Sequence, residues 1–173
     1  MIQTCSNPTH PMNVLKLLGL ILFLGLPASA FAQAADQGSH LEGIRFLHMR
    51  VDTSDASDIK PSEQLDMSDI VELQLRRGDI DLRPYVANKP EENIPLVLVK
   101  IDTASRAGAG EFDLILQVQD HVTIDRNQEK TIATIYEMRR RANGGSGSAQ
   151  IEAIKGELRE LMSDFVSVFR EQN

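Results

Sequence analysis

Residues Pro61 to Gly78 read PSEQLDMSDIVELQLRRG, and how they fold decides the architecture of the whole chain. The second half, Val71-Glu72-Leu73-Gln74-Leu75-Arg76, alternates apolar and polar side chains and by itself fits a strand. Read from Pro61 onward, the same residues fit a helix. Met67, Ile70, Val71 and Leu75 then gather on one helical face. Pro61 and Ser62 suit a helix start, with Glu63 and Asp66 in the first turns, where negative charge favours the dipole. Arg76 and Arg77 fall in the last turn, and Gly78 offers a left-handed cap. Because start and stop signals agree, the spacing predicts a helix. A helix here makes the strands on either side parallel through a right-handed crossover.

Working outward, Ile44 to Val51 (IRFLHMRV) alternates as a first strand, and Ile80 to Tyr85 forms a short strand parallel to it. Ala87 to Asn93 is a polar loop. Leu96 to Ile101 (LVLVKI) is apolar on both faces and reads as a central strand. Phe112, Leu114, Leu116, Val118, Val122 and Ile124 mark a long half-buried strand, and Ile132, Thr134, Tyr136 and Met138 mark another. The intervening segments, Thr103 to Gly110 and Asp125 to Lys130, fit hairpin loops, so these three strands form an antiparallel meander. Asn143 to Ser148 (NGGSGS) reads as a flexible hinge. From Ala149 to Gln172, Ile151, Ile154, Leu158, Leu161, Met162, Phe165, Val168 and Phe169 make one apolar stripe. The order β-α-β-β-β-β-α predicts an α+β fold: a mixed sheet of about five strands with two helices packed on one face.

Ahead of this domain lies a segment with the character of an address label. Lys16 gives a short basic start, Leu17 to Leu26 an apolar run, and Ala30-Phe31-Ala32 the small-x-small pattern of a signal-peptidase site. The run is short of the ~20 residues that span a bilayer. Residues 1–32 are therefore read as a signal peptide, with Met12 as the working start and 1–11 as a non-native or mis-started extension. Cleavage between Ala32 and Gln33 leaves a flexible leader, 33–40, and a single domain, 41–173. A lipid anchor needs a Cys directly after the apolar run, and Cys5, the one cysteine, precedes it. The expectation is a protein free in the periplasm or medium, with no membrane anchor and no disulfides.

The 173 residues carry a formal net charge of −7, and losing Lys16 with the signal peptide makes the remainder more acidic still. That balance argues against nucleic acid as a partner, since phosphate neutralisation needs Lys and Arg.

A loose pattern runs through the chain. Leu41-Glu42-Gly43-Ile44 opens it, and Val71-Glu72-Leu73-x-Leu75-Arg76, Arg126-Asn127 and Ala133-Thr134-Ile135-Tyr136 follow. A last helix with Asp164-Phe165-Val166 closes on Asn173. This resembles short exported bacterial α+β proteins of unknown function that begin with a Leu-x-Gly-Ile strand. The resemblance implies a fold and export, and no activity. The topology is also similar to envelope accessory domains such as the TolB amino-terminal domain and transporter auxiliary components, a likeness of fold that does not establish function.

Sites for chemistry are sparse. Asp52, Asp55 and Asp58 lack the alternate spacing and the glycine of a calcium loop and read as a solvated acidic loop, so no metal is expected. His40, His48 and His121 show no metal-ligand spacing within one element. His48 and His121 could meet across neighbouring strands, but each reads as a strand histidine, and they carry only the weaker alternative of an enzyme with an unrecognised site.

Arg139, Arg140 and Arg141 run into the Gly-rich segment before the last helix. With Gly145, Ser146 and Ser148 they make the one candidate anion site, for a phosphate or carboxylate at a helix start. The segment satisfies neither the Walker pattern nor the dinucleotide fingerprint. Ala107-Gly108-Ala109-Gly110 lies between antiparallel strands and reads as a hairpin tip, and Ser148 stands where a nucleophile elbow needs Gly.

No cofactor is expected. The sequence leads to a non-enzymatic exported domain that binds another envelope protein or component through an edge strand or an open sheet face. That face would carry Gln117, Gln119, Thr123, Glu137 and Arg139. The alternative is a small anionic-ligand binder at Arg139 to Ser148.

Overall fold

A computed structural model describes residues 39–86, 94–103 and 110–173. The signal segment, the leader to residue 38, the Ala87 to Asn93 loop and the tip Ala107 to Ala109 lie outside the described residues. Among those described, a 3-10 turn at Ser39–Leu41 leads into β1 (Phe46–Asp52), α1 (Pro61–Arg77) and β2 (Asp81–Leu82). Then follow β3 (Leu96–Asp102), β4 (Glu111–Ile124), β5 (Glu129–Asn143) and α2 (Ser148–Gln172). The sheet order is β2-β1-β3-β4-β5, so β3 is central as its double-sided apolarity implies. β1 runs parallel to both β2 and β3, and β3-β4-β5 is the antiparallel meander. The α+β fold and the helical reading of residues 61–77 both hold.

α1 starts as its sequence indicates, with the Glu63 carboxylate accepting the Lys60 backbone N–H at 2.8 Å. Its end differs from expectation. Gly78 has φ −80° and is not the left-handed cap; Asp79, at φ +59°, takes that role. Glycine is needed at 78 for space, because a Cβ there would lie 2.5 Å from Cγ1 of Val166 on α2. β2 is also shorter than Ile80 to Tyr85. Arg83 still donates its N–H to Leu47 O at 2.9 Å, but register pairing with β1 ends at Leu82.

Alternation sorts the strands. Leu47 and Val51, then Val97, Val99 and Ile101, then Leu114, Leu116 and Val118 all lie buried in one core with the helices. Met67, Val71 and Leu75 of α1 face Ile154, Leu158, Met162 and Phe165 of α2, all without exposed surface. Phe165 sits between Tyr136 and Phe169, with ring centroids 5.8 and 5.9 Å away. On the outer rim Lys155 of α2 reaches Asp66 of α1 at 2.8 Å. Leu41, directly after the expected flexible leader, is wholly buried.

The hinge expected at Asn143 to Ser148 is a packed corner. Gly144 donates its N–H to Gly110 O at 3.0 Å, and Gly145 donates to Asn143 Oδ1 at 3.0 Å. A Cβ on Gly110 would lie 1.5 Å from Gly145 O, so the backbones touch where no side chain fits.

Candidate functional site: the helix-free sheet face and a projecting hairpin

The sheet residues alternating with the core set face away from the helices. Gln117, Gln119 and Glu137 share this face, and their side chains form a chain of hydrogen bonds. Gln119 Nε2 donates to Gln117 Oε1 at 3.4 Å, and Gln117 Nε2 donates to Glu137 Oε2 at 2.7 Å. Arg139 Nε donates to the other Glu137 oxygen at 2.6 Å. That bond, followed by the one from Gln117, holds the Glu137 carboxyl below its ordinary range. Farther along, Arg141 grips Asp113 through Nε and Nη2 at 2.7 and 3.1 Å, which raises the guanidinium pKa. At the β1 end, the Ser54 N–H lowers the Asp52 carboxyl in the same way.

This geometry divides the candidate anion site. Arg139 and Arg141 belong to the helix-free face, whereas Arg140 turns to α2. There it donates to Glu157 at 3.2 Å and to Asp164 at 2.7 Å. Each of the three arginines already has a carboxylate, and they do not converge on Gly145, Ser146 and Ser148. Ser148 begins α2 and Gly147, at φ +60°, precedes it, with no side-chain cap on the first turn.

The histidines are also kept apart. His48 on β1 and His121 on β4 have β3 between them, and His48 is in register with Leu96, opposite Gln119 rather than His121. Two strand spacings alone put them about 10 Å apart. Among the described residues no group of His, Cys, Asp and Glu could hold a metal. His48 is 2% exposed although it lies on the helix-free side. Its Nδ1 is 3.0 Å from Arg83 O, and a carbonyl only accepts, so Nδ1 is the donor. Tyr85 stands edge-on at 5.7 Å, and the Arg83 guanidinium lies 4.5 Å from the Phe46 ring centre. The segment leaving β2 thus covers His48, and Nε2 has no partner among the described residues.

The far end of the meander extends beyond the rest of the sheet. β3 stops pairing at Leu96–Gln119, while β4 and β5 continue from Asp120–Ala133 to Ile124–Glu129. These pairs form a two-stranded arm about 17 Å long at ~3.4 Å per residue. A bulge at its root leaves Ile135 without a register partner and changes the alternation of β5. The tip is well tied: Gln128, at φ +57°, donates its N–H to Ile124 O at 2.7 Å and its side chain to Asp125 O at 2.9 Å. Ile132 is 57% exposed and Ile124 37%, on opposite faces of the arm. The period-two pattern of β4 was legible through Ile124, but apolar alternation does not reveal where the neighbouring strand ends. At the arm's root a shallow groove of about 370 Å³ lies among Glu42, Arg45, Phe46, Pro95 and Asp120.

No helix among the described residues is long and apolar enough to cross a membrane. No family model matches the chain, and no curated protein matches it. Among solved structures it is similar to a PelC dodecamer from Paraburkholderia phytofirmans, at 13% identity and TM-score 0.41, over 74% of this chain and 89% of that one. It is similar to rare lipoprotein B from Shewanella oneidensis, at 13% identity and TM-score 0.29, over 72% and 91%. A third likeness is to a minor lipoprotein from Acinetobacter baumannii, at 13% identity and TM-score 0.27, over 75% and 91%. None of these three is named as a TolB domain.

Proposed function

We propose that this protein is an exported, non-enzymatic accessory domain of the bacterial cell envelope that binds another envelope protein. The observation carrying this reading is the β4–β5 arm, which extends past the sheet with apolar Ile124 and Ile132 open to water. A two-stranded hairpin is marginally stable by itself in water, so a long arm with both faces bare gains stability when a partner covers it. The adjoining helix-free face supports recognition, because Gln117, Gln119 and Glu137 present an ordered row of donors and acceptors. Export is supported by the pattern from Lys16 to Ala32.

The test is in-cell crosslinking from a photoreactive group at Thr123 on the arm, with the captured proteins identified by mass spectrometry. One dominant envelope protein, lost when the same group is moved to Leu65 on the helical side, is the expected result. Capture of nothing from the arm, or of cytoplasmic proteins only, overturns the reading. An intact mass beginning near Gln33 is expected for the exported protein, and retention of Leu17 to Leu26 would remove the basis for export.

A further inference from the structure

The outer edge of β5 offers a further contact on the same arm, one that takes Ile132 and leaves Ile124, on the opposite face, to the envelope partner. Among the described residues β5 pairs only with β4, and no loop backbone bonds to its outer edge. The arm half of that edge leads into Thr131-Ile132-Ala133-Thr134-Ile135-Tyr136, six residues without charge, Pro or Gly and rich in β-branched side chains. Such composition on an open edge favours strand pairing. Charges flank the segment, Glu129 and Lys130 before it, Glu137 and Arg139 after it.

We propose that the β5 edges of two copies of this chain pair antiparallel about a two-fold axis at Ile132. A strand pairing antiparallel with itself is a self-complementary contact, the kind that closes a dimer. In this register Ile132 packs on Ile132 of the second copy, so the most exposed apolar side chain of the arm leaves water on both sides. Lys130 lies opposite Thr134, and Thr131 opposite Ala133. Glu129, the first residue of the strand, falls opposite Ile135 of the second copy. No like charges stand directly opposed. Other registers lose this fit: an axis at Thr131 sets Lys130 against Ile132, and an axis at Lys130 sets ammonium against ammonium. The charge pattern therefore selects the register that the apolar side chain also favours.

Sedimentation velocity at about 100 µM, a concentration at which a small interface is populated, reads the mass directly. The wild-type chain is expected as a dimer. Ile132→Lys is expected to halve the mass and, at dilutions where both chains are single, to leave the thermal melt unchanged, since the side chain faces solvent in the single copy. A monomeric wild type, or a dimer unaffected by Ile132→Lys, overturns the proposal. In a Cys5→Ser background, Ile132→Cys is expected to form a disulfide-linked dimer on mild oxidation, while Thr123→Cys on the inner strand of the arm stays single. Equal crosslinking of the two overturns the register. A monomer that still captures an envelope protein from Thr123 overturns the self-pairing and leaves the accessory reading intact.

Discussion

Asn173 and Gly43, 130 residues apart, are joined by one hydrogen bond that ties the end of α2 to the approach to β1. The Asn173 carbonyl Oδ1 accepts the Gly43 N–H at 2.8 Å. Its Nδ2 donates to Leu41 O at 3.0 Å and to Phe169 O at 3.1 Å. One amide side chain therefore caps the last helix and holds the turn that buries Leu41. Gly43, at φ +79°, supplies the left-handed bend that aims its N–H at the cap.

Asn173→Ala removes all three bonds and is expected to lower stability by about 1–2 kcal/mol, a net value for hydrogen bonds near the surface. Asn173→Asp keeps the acceptor for Gly43 and loses both donors, so it is expected to fall between Ala and wild type. Urea denaturation of the three proteins checks the order. Equal midpoints would mean that Leu41 is held by packing alone.

Gly110, at the corner between β5 and α2, and Gly156, inside α2, give a pair of substitutions with opposite signs. Gly110→Ala places a Cβ against Gly145 O at a backbone φ of +73°, so it is expected to cost about 2 kcal/mol or more. Gly156, within α2, has open space around its Cβ position, and Gly156→Ala is expected to stabilise by about 0.5–1 kcal/mol. Thermal melts of the two variants should move in opposite directions. Parallel movement would show that the corner yields.

Phe165 has no exposed surface and contacts the rings of both Tyr136 and Phe169. Phe165→Ala is expected to cost about 3–5 kcal/mol, for lost transfer energy and the cavity left behind. Leu65→Ala, at a position 67% exposed on α1, is expected to stay within about 0.5 kcal/mol. Guanidinium titration separates the two. A small effect at Phe165 would mean that α2 is not the main support of the sheet.

These residues also show what the sequence carried and where it fell short. The stripe from Ile151 to Phe169 and the apolar strand Leu96 to Ile101 were legible because burial imposes a period on them. The helix at Pro61 to Arg77 was legible because its capping and charge signals broke a tie with strand alternation. Gly78 was placed correctly as a helix end and given the wrong reason: its neighbour Asp79 takes the left-handed conformation, and Val166, far along the chain, demands the missing Cβ. The three arginines looked like one cluster in sequence, yet strand alternation sends Arg140 to Glu157 and its neighbours to the other face. Asn173 was noted as an ending, but its reach to Gly43 leaves no local signature. Local periods are written in adjacent residues; contacts across the fold are written in pairs that one sequence does not mark.

The row Gln119-Gln117-Glu137-Arg139 makes a pH dependence with a definite sign. Hydrogen bonding by Arg139 and Gln117 lowers the Glu137 pKa in the folded protein below its ordinary 4.5. A carboxyl with a depressed folded value contributes stability above its unfolded pKa and loses it as pH falls through the folded one. Glu137→Gln should therefore be less stable than wild type near neutral pH, with the gap closing as both are taken below about pH 4. The effect is modest, because the Glu137 side chain is 31% exposed and that of Arg139 67%, and solvent screens the pair. Raising salt at neutral pH should narrow the same gap for the same reason. Urea midpoints for both proteins across the acid range test this, and a gap that stays constant with pH would show that the row carries no charge-dependent stability.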